Sequence, residues 1–224
     1  MRLVFPVFAA LLAVAGCAPT PAPAAGGGLL PPGARGIDLS HHNGRVNWDA
    51  LDTEGLDFMY LKATEGRDWK DPDFQMNWRE ATRRGYDVGA YHFYILCKPA
   101  KEQAVNFIQS VEVRDGTLPP AVDLEYAHNC EPYHRDAAGT RAELQAFLDR
   151  LEAEYSAIPV IYTTPEFHAD WIAGHFDRYP LWIRSVEGAP DMPYAIWQHS
   201  MRGKMAGIDS DVDLNRAAGG MPEE

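Results

Sequence analysis

The stretch Leu118-Pro-Pro-Ala-Val-Asp-Leu-Glu-Tyr126 sets the frame for the rest of the chain. Its two prolines end any preceding helix, because proline lacks an N–H and restricts the residue before it. The six residues that follow predict a short buried strand. Side chains alternate faces along a strand, so Asp123 and Glu125 share one face, with Cβ atoms roughly 6–7 Å apart. A solvated edge strand with an acidic face is the alternative, and the apolar flanks argue against it.

Seven other stretches predict strands, and each of the first five strands of the chain is followed by a predicted helix. The strands are 36–40, 57–64, 88–94, 159–163, 181–184, 195–199 and 211–215. The helices are a short one ending at 51, then 71 or 73 to 84, 100–111, 140–155 and 166–173. Alternation of strands and helices favours parallel strands joined by crossovers, and eight strands suggest closure. The sequence therefore predicts an α/β fold, an irregular TIM-like barrel whose last strands lack crossover helices.

Polar residues interrupt the apolar strand patterns where the predicted strands end. In barrels of parallel strands the functional site lies at the carboxyl ends of the strands. The polar residues expected there are Asp38, Thr64, Glu65, His92, Asp123, Glu125, Thr163, Arg184, His199 and Asp213. Carboxylates dominate this set, and paired carboxylates are the groups that hydrolyse glycosidic bonds.

The composition is that of a folded, acidic protein. The chain has 224 residues, 46% of them hydrophobic, and a net charge of −12. This hydrophobic content excludes a disordered chain, and the negative charge disfavours binding to nucleic acid. We expect a monomer that needs no cofactor.

The amino-terminal segment predicts export and lipidation. An apolar run in residues 1–16 reads as a secretory signal and is too short to span a bilayer as a mature helix. It ends in Val-Ala-Gly before Cys17, which resembles a bacterial lipoprotein processing site and implies a lipid on that cysteine. The alternative is an ordinary secretory signal with Cys17 as a bystander. Residues 17–34 then form an Ala/Pro/Gly-rich tether, and residues 35–224 form the folded domain.

Removal of Cys17 from the count leaves an even pair of cysteines, Cys97 and Cys130. In an oxidising compartment an even pair predicts a disulfide, whereas two buried thiols are the alternative. The two cysteines follow neighbouring predicted strands at the same end of the barrel, which brings them within bridging reach.

Seven short motifs, in order, resemble glycoside hydrolase family 25, the lysozymes of bacteria, phages and fungi. They are Gly-Ile-Asp-Leu-Ser at 36–40, Lys-Ala-Thr-Glu-Gly at 62–66, Asp-Pro-x-Phe at 71–74, Gly-Ala-Tyr-His-Phe at 89–93, Asp-Leu-Glu at 123–125, Trp-Gln at 197–198 and Val-Asp-Leu-Asn at 212–215. The resemblance implies an irregular barrel with fewer helices than strands. It also implies cleavage of the β-1,4 bond between N-acetylmuramic acid and N-acetylglucosamine in peptidoglycan, by an enzyme of the bacterial cell envelope.

The same resemblance implies roles for four acidic residues. Glu125 matches the general acid/base, and Asp123 matches the carboxylate that supports the substrate's N-acetyl group as that group attacks the anomeric carbon. Asp38 and Asp213 match two further acidic residues of the site. A Glu125 that is protonated near neutral pH needs a raised pKa, which neighbouring carboxylates and aromatic walls would supply.

Aromatic residues near the strand ends are candidates to contact sugar, because sugars stack on aromatic faces, although ordinary core packing is the alternative for each. We expect Tyr91, Tyr162 and Trp197 to do so before Tyr60 and Trp182, and we add Lys62 and Glu65 as substrate-binding residues.

Two other functions remain open. A glycan-binding lipoprotein without turnover is one, although all four acidic positions are present. A metal-dependent hydrolase on the same barrel is the other, although the histidines show no ligand spacing such as H-x-H or H-E-x-x-H. We therefore expect no metal site.

Overall fold

The computed structural model describes residues 29–51, 55–112, 114, 116–130 and 137–219. The predicted signal segment, Cys17 and most of the predicted tether lie outside the described residues. No helix in the described part of the chain is both long enough and apolar enough to cross a membrane.

Eight strands form a closed barrel, which confirms the predicted irregular TIM-like fold. The strands are β1 (Arg35–Leu39), β2 (Phe58–Glu65), β4 (Asp87–Phe93), β5 (Ala121–Leu124), β6 (Val160–Thr163), β7 (Leu181–Arg184), β8 (Ile196–Met205) and β9 (Ile208–Ala217). They follow one another around the barrel in this order, and β9 closes it by pairing with β1. A two-residue strand that the sequence analysis did not find, β3 (Trp69–Lys70), pairs with the end of β2.

The last strand runs opposite to its neighbours. Strand β9 is antiparallel to both β8 and β1, whereas the other barrel pairs are parallel. The expectation that Asp213 lies at the carboxyl end of a strand is therefore wrong. It lies in the middle of β9, where its Cα is paired with that of Asp38. An antiparallel strand needs only a tight turn, here at Ala206–Gly207, so no crossover helix is required.

Four helices were found in the described residues: α1 (Phe74–Arg84), α2 (Ala100–Ile108), α3 (Ala137–Tyr155) and the three-residue α4 (Pro165–Phe167), which continues as a π-helical turn (His168–Ile172). Helix α1 ends where predicted, because Gly85 adopts the left-handed conformation (φ 82°) that caps helices. The short helix predicted to end at Leu51 is absent. Residues 48–50 form a turn, in which the Asn47 side chain accepts a hydrogen bond from the amide of Ala50.

The barrel separates two cores. Between the strands and the helices lies a large aliphatic and aromatic cluster, which includes Leu61, Phe107, Phe147 and Ile161. Inside the barrel lies a smaller cluster rich in rings, which includes Phe58, Tyr60, Ala121, Val160, Tyr162, Trp182 and Ile196. The rings fill the lower interior. The end at which the parallel strands finish, which we call the mouth, is left for polar side chains.

Two glycines make room for the rings inside the barrel. A Cβ atom on Gly36 would lie 2.4 Å from the Phe58 ring, and one on Gly89 would lie 2.2 Å from the Tyr60 ring. Both rings are fully buried and have no free space to move into. The glycines of β1 and β4 therefore set the width of the barrel beneath the mouth.

The predicted disulfide between Cys97 and Cys130 is confirmed, with Cα atoms 6.0 Å apart. It joins the loop after β4 to the loop after β5. The Asn129 side chain strengthens this junction, since its amide donates to the carbonyls of Tyr94 (2.8 Å) and Glu125 (3.1 Å). The chain-entropy model gives about 3–4 kcal/mol for a loop of this length, as an upper figure.

Gly89→Ala should destabilise the protein, because the new methyl group overlaps the Tyr60 ring inside a closed barrel. We expect a loss of about 1–3 kcal/mol in the free energy of unfolding, as for other overpacked cores. Chemical denaturation followed by circular dichroism measures it. Gly188→Ala is the matched control, since its Cβ would meet nothing within 4 Å. Equal stability of the two variants would contradict the tight fit.

Candidate active site

A cavity of about 310 Å³ opens at the mouth of the barrel, and we call it the mouth cavity. Its lining combines acidic, basic and aromatic side chains: Asp38, His42, Lys62, Tyr91, Phe93, Asp123, Glu125, Ala127, His128, Tyr162, Trp182, Arg184, Met201 and Asp213. All four acidic residues that the sequence analysis grouped as catalytic therefore meet in one place.

Strand alternation and register bring the four carboxyl groups together. Asp38 near the end of β1 is paired with Asp213 on β9. Asp123 is on β5, and Glu125 follows the last residue of that strand. Because the interior-facing positions of a strand recur every second residue, Asp123 and Glu125 both point into the barrel, while Leu124 packs in the outer core. Asp38, Asp123 and Glu125 are each less than 9% exposed.

Asp38 is held by two amides. Its Oδ2 accepts hydrogen bonds from Gln198 Nε2 and from Asn215 Nδ2, each 2.8 Å long. Burial and the nearby charge of Asp213 raise the pKa of Asp38 well above its usual value, and the two amides partly offset this. Asn215 also accepts from Trp182 Nε1 at 2.7 Å, and Gln198 accepts from the Tyr162 hydroxyl at 2.9 Å. This network locks the orientation of Asp38.

Asp123 and Glu125 differ from Asp38 in their contacts, because no amide side chain in the described part of the chain holds either of them. Burial, followed by the charge of Glu125, raises the pKa of Asp123 well above its usual value. The buried Oδ1 of Asp123 has no hydrogen-bond partner among the described residues. Glu125 Oε2 lies 2.7 Å from Arg184 Nη2. Burial raises the pKa of Glu125, and Arg184 opposes the rise.

The cluster can therefore supply both an acid and a base. Burial also raises the pKa of Asp213, so all four carboxyl groups bind protons at a higher pH than isolated carboxyls do. Groups with raised pKa values donate protons near neutral pH, and their ionised neighbours can stabilise positive charge.

The aromatic candidates divide into two groups. Tyr91, Tyr162 and Trp182 line the mouth cavity, with the Trp182 ring centroid 6.4 Å from that of Tyr91 and 4.9 Å from that of Tyr162. Tyr60 lies below them, fully buried, with its hydroxyl donating to the carbonyl of Pro119. Trp197 faces away from the barrel interior and donates to the carbonyl of Ser185. The structure thus places Trp182, and not Trp197, beside the carboxylates.

Lys62 and Glu65 form an ion pair at the rim, with Nζ 2.8 Å from Oε2. Residues three apart on a regular strand face opposite ways, but β2 has a bulge between Lys62 and Thr64 that brings these two side chains together. The Lys62 ammonium also lies over the rings of Trp69 and Phe93, at 5.1 and 4.9 Å from their centroids. Lys62 lines the mouth cavity, whereas Glu65 is its partner outside the lining.

Several polar residues at the strand ends point away from the mouth. His92 is fully buried between barrel and helices, where it bonds Thr64 Oγ1 and Gln103 Oε1 and stacks on Phe147. Burial lowers the pKa of His92 to about 3, so it is neutral. Thr163 and His199 follow the inward-facing Tyr162 and Gln198 and so face outward. The expectation that His92, Thr163 and His199 lie at the functional site is therefore wrong, since their side chains contribute to packing outside the mouth.

Gln198 and Asn215 were not singled out as site residues from the sequence. Both occur in the quoted family motifs, and alternation along β8 and β9 puts them on the face that carries Asp213. Arg184 was expected at the mouth among the strand-end residues, and it lies there. In the described residues no group of three or more His, Cys, Asp or Glu side chains is arranged to hold a metal ion.

Comparison with known proteins agrees with this geometry. The sequence model of glycosyl hydrolases family 25 matches residues 37–208. The chain belongs to this family. It is a glycoside hydrolase, and the four carboxyl groups that line the mouth cavity come from β1, β5, β9 and the residue that follows β5.

Relatives and solved structures cover most of the chain. Lysozyme M1 of Streptomyces globisporus is 31% identical over 84% of this chain and 68% of its own length. An uncharacterised Escherichia coli K12 protein, YegX, is 33% identical over 80% of this chain and 68% of its own length. The structure of a family 25 glycosyl hydrolase from Bacillus anthracis superposes with a TM-score of 0.77 and 30% identity, covering 84% of this chain and 89% of that one.

Asp123→Asn should stabilise the protein at neutral pH. Because folding raises the pKa of Asp123, ionisation of this group costs more free energy in the folded protein than in the unfolded chain, and stability falls as pH rises above about 4. Asparagine does not ionise, so the variant keeps its stability as the pH rises. We expect a gain of at least about 1 kcal/mol at pH 7, a rise in Tm of roughly 2–4 °C, that disappears near pH 4.

Asp71→Asn is the control for that prediction. Asp71 is equally buried, but its Oδ2 accepts from the backbone amide and ring Nδ1 of His41, both at 2.9 Å. Its replacement should destabilise the protein at pH 7. Thermal melts of both variants from pH 4 to 8 make the comparison, and a destabilised Asp123→Asn at pH 7 would contradict the proposed repulsion.

Proposed function

We propose that this chain is a lysozyme-type muramidase, which cleaves the β-1,4 bond between N-acetylmuramic acid and N-acetylglucosamine with retention of configuration. The observation that carries the proposal is the pairing of buried Asp123 and Glu125 at the mouth, with Glu125 held where its pKa is raised. The family and its lysozyme relatives support peptidoglycan as the substrate.

In the first step, protonated Glu125 donates its proton to the oxygen of the leaving sugar. The carbonyl oxygen of the substrate's own N-acetyl group attacks the anomeric carbon as that bond breaks. The nitrogen of the resulting ring becomes positively charged, and Asp123 is placed to accept its N–H and to stabilise the charge. The partnerless Oδ1 of Asp123 is the acceptor available for this hydrogen bond.

In the second step, ionised Glu125 removes a proton from water as the water attacks the anomeric carbon. The ring opens and the N-acetyl group is restored. The acetyl oxygen and the water attack opposite faces in turn, so the product keeps the β configuration. Asp38, fixed by Gln198 and Asn215, and its neighbour Asp213 add negative charge beside the developing cation.

Glu125→Gln should reduce turnover by at least about 10²–10⁴-fold, because it keeps the shape of the side chain and removes the proton donor. Release of soluble fragments from purified peptidoglycan measures turnover. Glu154→Gln, on the outside of α3, is the control and should act like the wild type. Near-normal activity of Glu125→Gln would refute the roles assigned here.

Two measurements on the wild-type digest complete this test. Mass spectrometry of the released muropeptides reports which sugar carries the new reducing end, and we expect N-acetylmuramic acid. Proton NMR at early times reports the configuration, and we expect the β anomer before mutarotation. An initial α anomer would exclude attack by the N-acetyl group.

The proposal extends to the location of the enzyme. We infer an exported protein in three parts: a signal in residues 1–16, a lipidated Cys17 followed by a tether, and a catalytic domain. The sequence bounds the tether at residue 34 and the domain at 35–224, but Leu30 and Ala34 already pack in the interior core of the barrel. The sequence around Cys17 supports lipidation, and paired or triple acyl chains give stable membrane attachment.

Cys17→Ser should abolish lipid attachment and, where export continues, release a form without an anchor. Metabolic labelling with a fatty acid and fractionation of membranes measure both effects. Cys97→Ser, a substitution of a different cysteine, should leave the label in place. A wild-type mature protein without lipid would contradict the anchor.

A further inference from the structure

Arg184 stands at a boundary between two cavities. It is the last residue of β7, its side chain is 23% exposed, and its Nη2 lies 2.7 Å from Glu125 Oε2. It lines the mouth cavity and also a neighbouring cavity of about 340 Å³, which we call the side cavity. The rest of the side cavity is formed by Thr164, Pro165, Glu166, Ser185, Val186 and Glu187.

The ion pair between Arg184 and Glu125 conflicts with the proposed role of Glu125 as a general acid. A general acid must carry a proton, but a guanidinium beside a carboxylate favours the ionised form. Burial raises the pKa of Glu125 and Arg184 lowers it. The other charged or titratable groups that act on Glu125 are Asp123 on β5, His128 in the following loop, Lys62 on β2, Tyr162 on β6 and Asp213 on β9. Among the described groups, Arg184 is the cation in direct contact with Glu125.

We propose that Arg184 is the binding site for a carboxylate carried by the substrate, which takes the guanidinium from Glu125 and so leaves Glu125 in its acidic form. This inference rests on the proposed function. In a muramic acid unit the carboxylate is that of the lactyl group, or of the peptide attached to it. Neutral glycans, such as oligomers of N-acetylglucosamine, have no such group.

The charges of the site favour Arg184 over the other cation of the lining. Lys62 is already paired with Glu65 and lies over two rings. A guanidinium carries five N–H donors in a planar fork. Arg184 can therefore form hydrogen bonds to the incoming substrate carboxylate before its contact with the Glu125 carboxylate breaks. The side cavity is lined by Glu166 and Glu187 and by none of the four clustered carboxyl groups. The sugar binds in the mouth cavity beside Glu125, so its carboxylate approaches Arg184 from that side.

The exchange balances in protons and charge. Before binding, Arg184 is paired with ionised Glu125. After binding, Arg184 is paired with the substrate carboxylate, and Glu125 takes up one proton from the buffered solution, which supplies hydronium or buffer acid. That proton is the one delivered to the leaving oxygen. A sugar with a carboxylate in the site thereby increases the fraction of the enzyme in which Glu125 is a competent acid.

The test compares three matched glycans: one with a free lactyl carboxylate, one with that group converted to a methyl amide, and one with the peptide attached. We expect the wild type to prefer a carboxylate-bearing glycan over the amide by about 10-fold to 100-fold in kcat/KM, the usual worth of a charged hydrogen bond. Arg184→Gln should remove this preference, and Arg184→Lys should keep part of it. Preference for the free acid or for the peptide-bearing glycan identifies the source of the carboxylate.

The pH profile separates this role from a merely structural one. On the methyl amide, Arg184→Gln should move the alkaline limb of kcat/KM to higher pH, because loss of the cation raises the pKa of Glu125. Arg178→Gln, which removes a surface cation paired with Glu152, should change neither the preference nor the profile. The proposal would be overturned if Arg184→Gln lost the same factor in kcat/KM on all three glycans and its pH profile matched that of the wild type.

Calorimetry tests the carboxylate site without turnover. The wild type should bind the free-acid glycan about 10-fold to 100-fold more tightly than the amide, and Arg184→Gln should bind both alike. Circular dichroism and thermal melts verify that the variants are folded. Equal affinities in the wild type would overturn the proposal. Absence of cleavage with retained discrimination in binding would instead contradict the muramidase function.

Discussion

The site depends on the antiparallel pairing of β9 with β1. This pairing closes the barrel and, in the same step, places Asp213 opposite Asp38 and Asn215 on the same inward face. A parallel final strand would finish at the mouth with a different residue facing Asp38. The two amides that hold Asp38 come from β8 and β9, so the hairpin that closes the barrel also supplies the hydrogen bonds that offset the burial of a carboxyl group.

The carboxyl groups at the mouth lower the stability of the folded protein, and packing in the rest of the barrel compensates for this loss. Carboxyl groups with raised pKa values destabilise the folded protein at neutral pH, since the unfolded chain ionises them in water. Below them the interior is closed by rings in mutual contact, with glycines on β1 and β4 that admit them. Outside, a second apolar core packs the strands against the helices. Function is thus concentrated at one end of a scaffold whose stability comes from elsewhere.

The eight strands, the carboxylate set and the disulfide could be predicted from the sequence, because each rests on local alternation, on motif order or on cysteine parity. The direction of β9 could not, since a strand's residue pattern is the same whether it runs parallel or antiparallel. For the same reason Asp213 was placed at the wrong part of its strand. The bulge in β2 was missed because Ala63 and Thr64 both face outward, and the apolar alternation breaks there. Trp197 and Trp182 have similar sequence surroundings, and only the phase of their strands decides which of them faces the cavity.

The chain enters the barrel from the end opposite the mouth. Leu30 and Ala34 are buried in the interior core together with Ala121, Val160 and Ile196, which lie at the starting ends of their strands. Eleven residues lie between Cys17 and Leu29, and this length of chain spans at most about 43 Å when fully extended. The lipid proposed for Cys17 would therefore attach the protein at the end of the barrel opposite the mouth. With that anchor, the active site would reach only those glycan strands whose distance from the lipid surface does not exceed the contour length of the segment plus the height of the barrel.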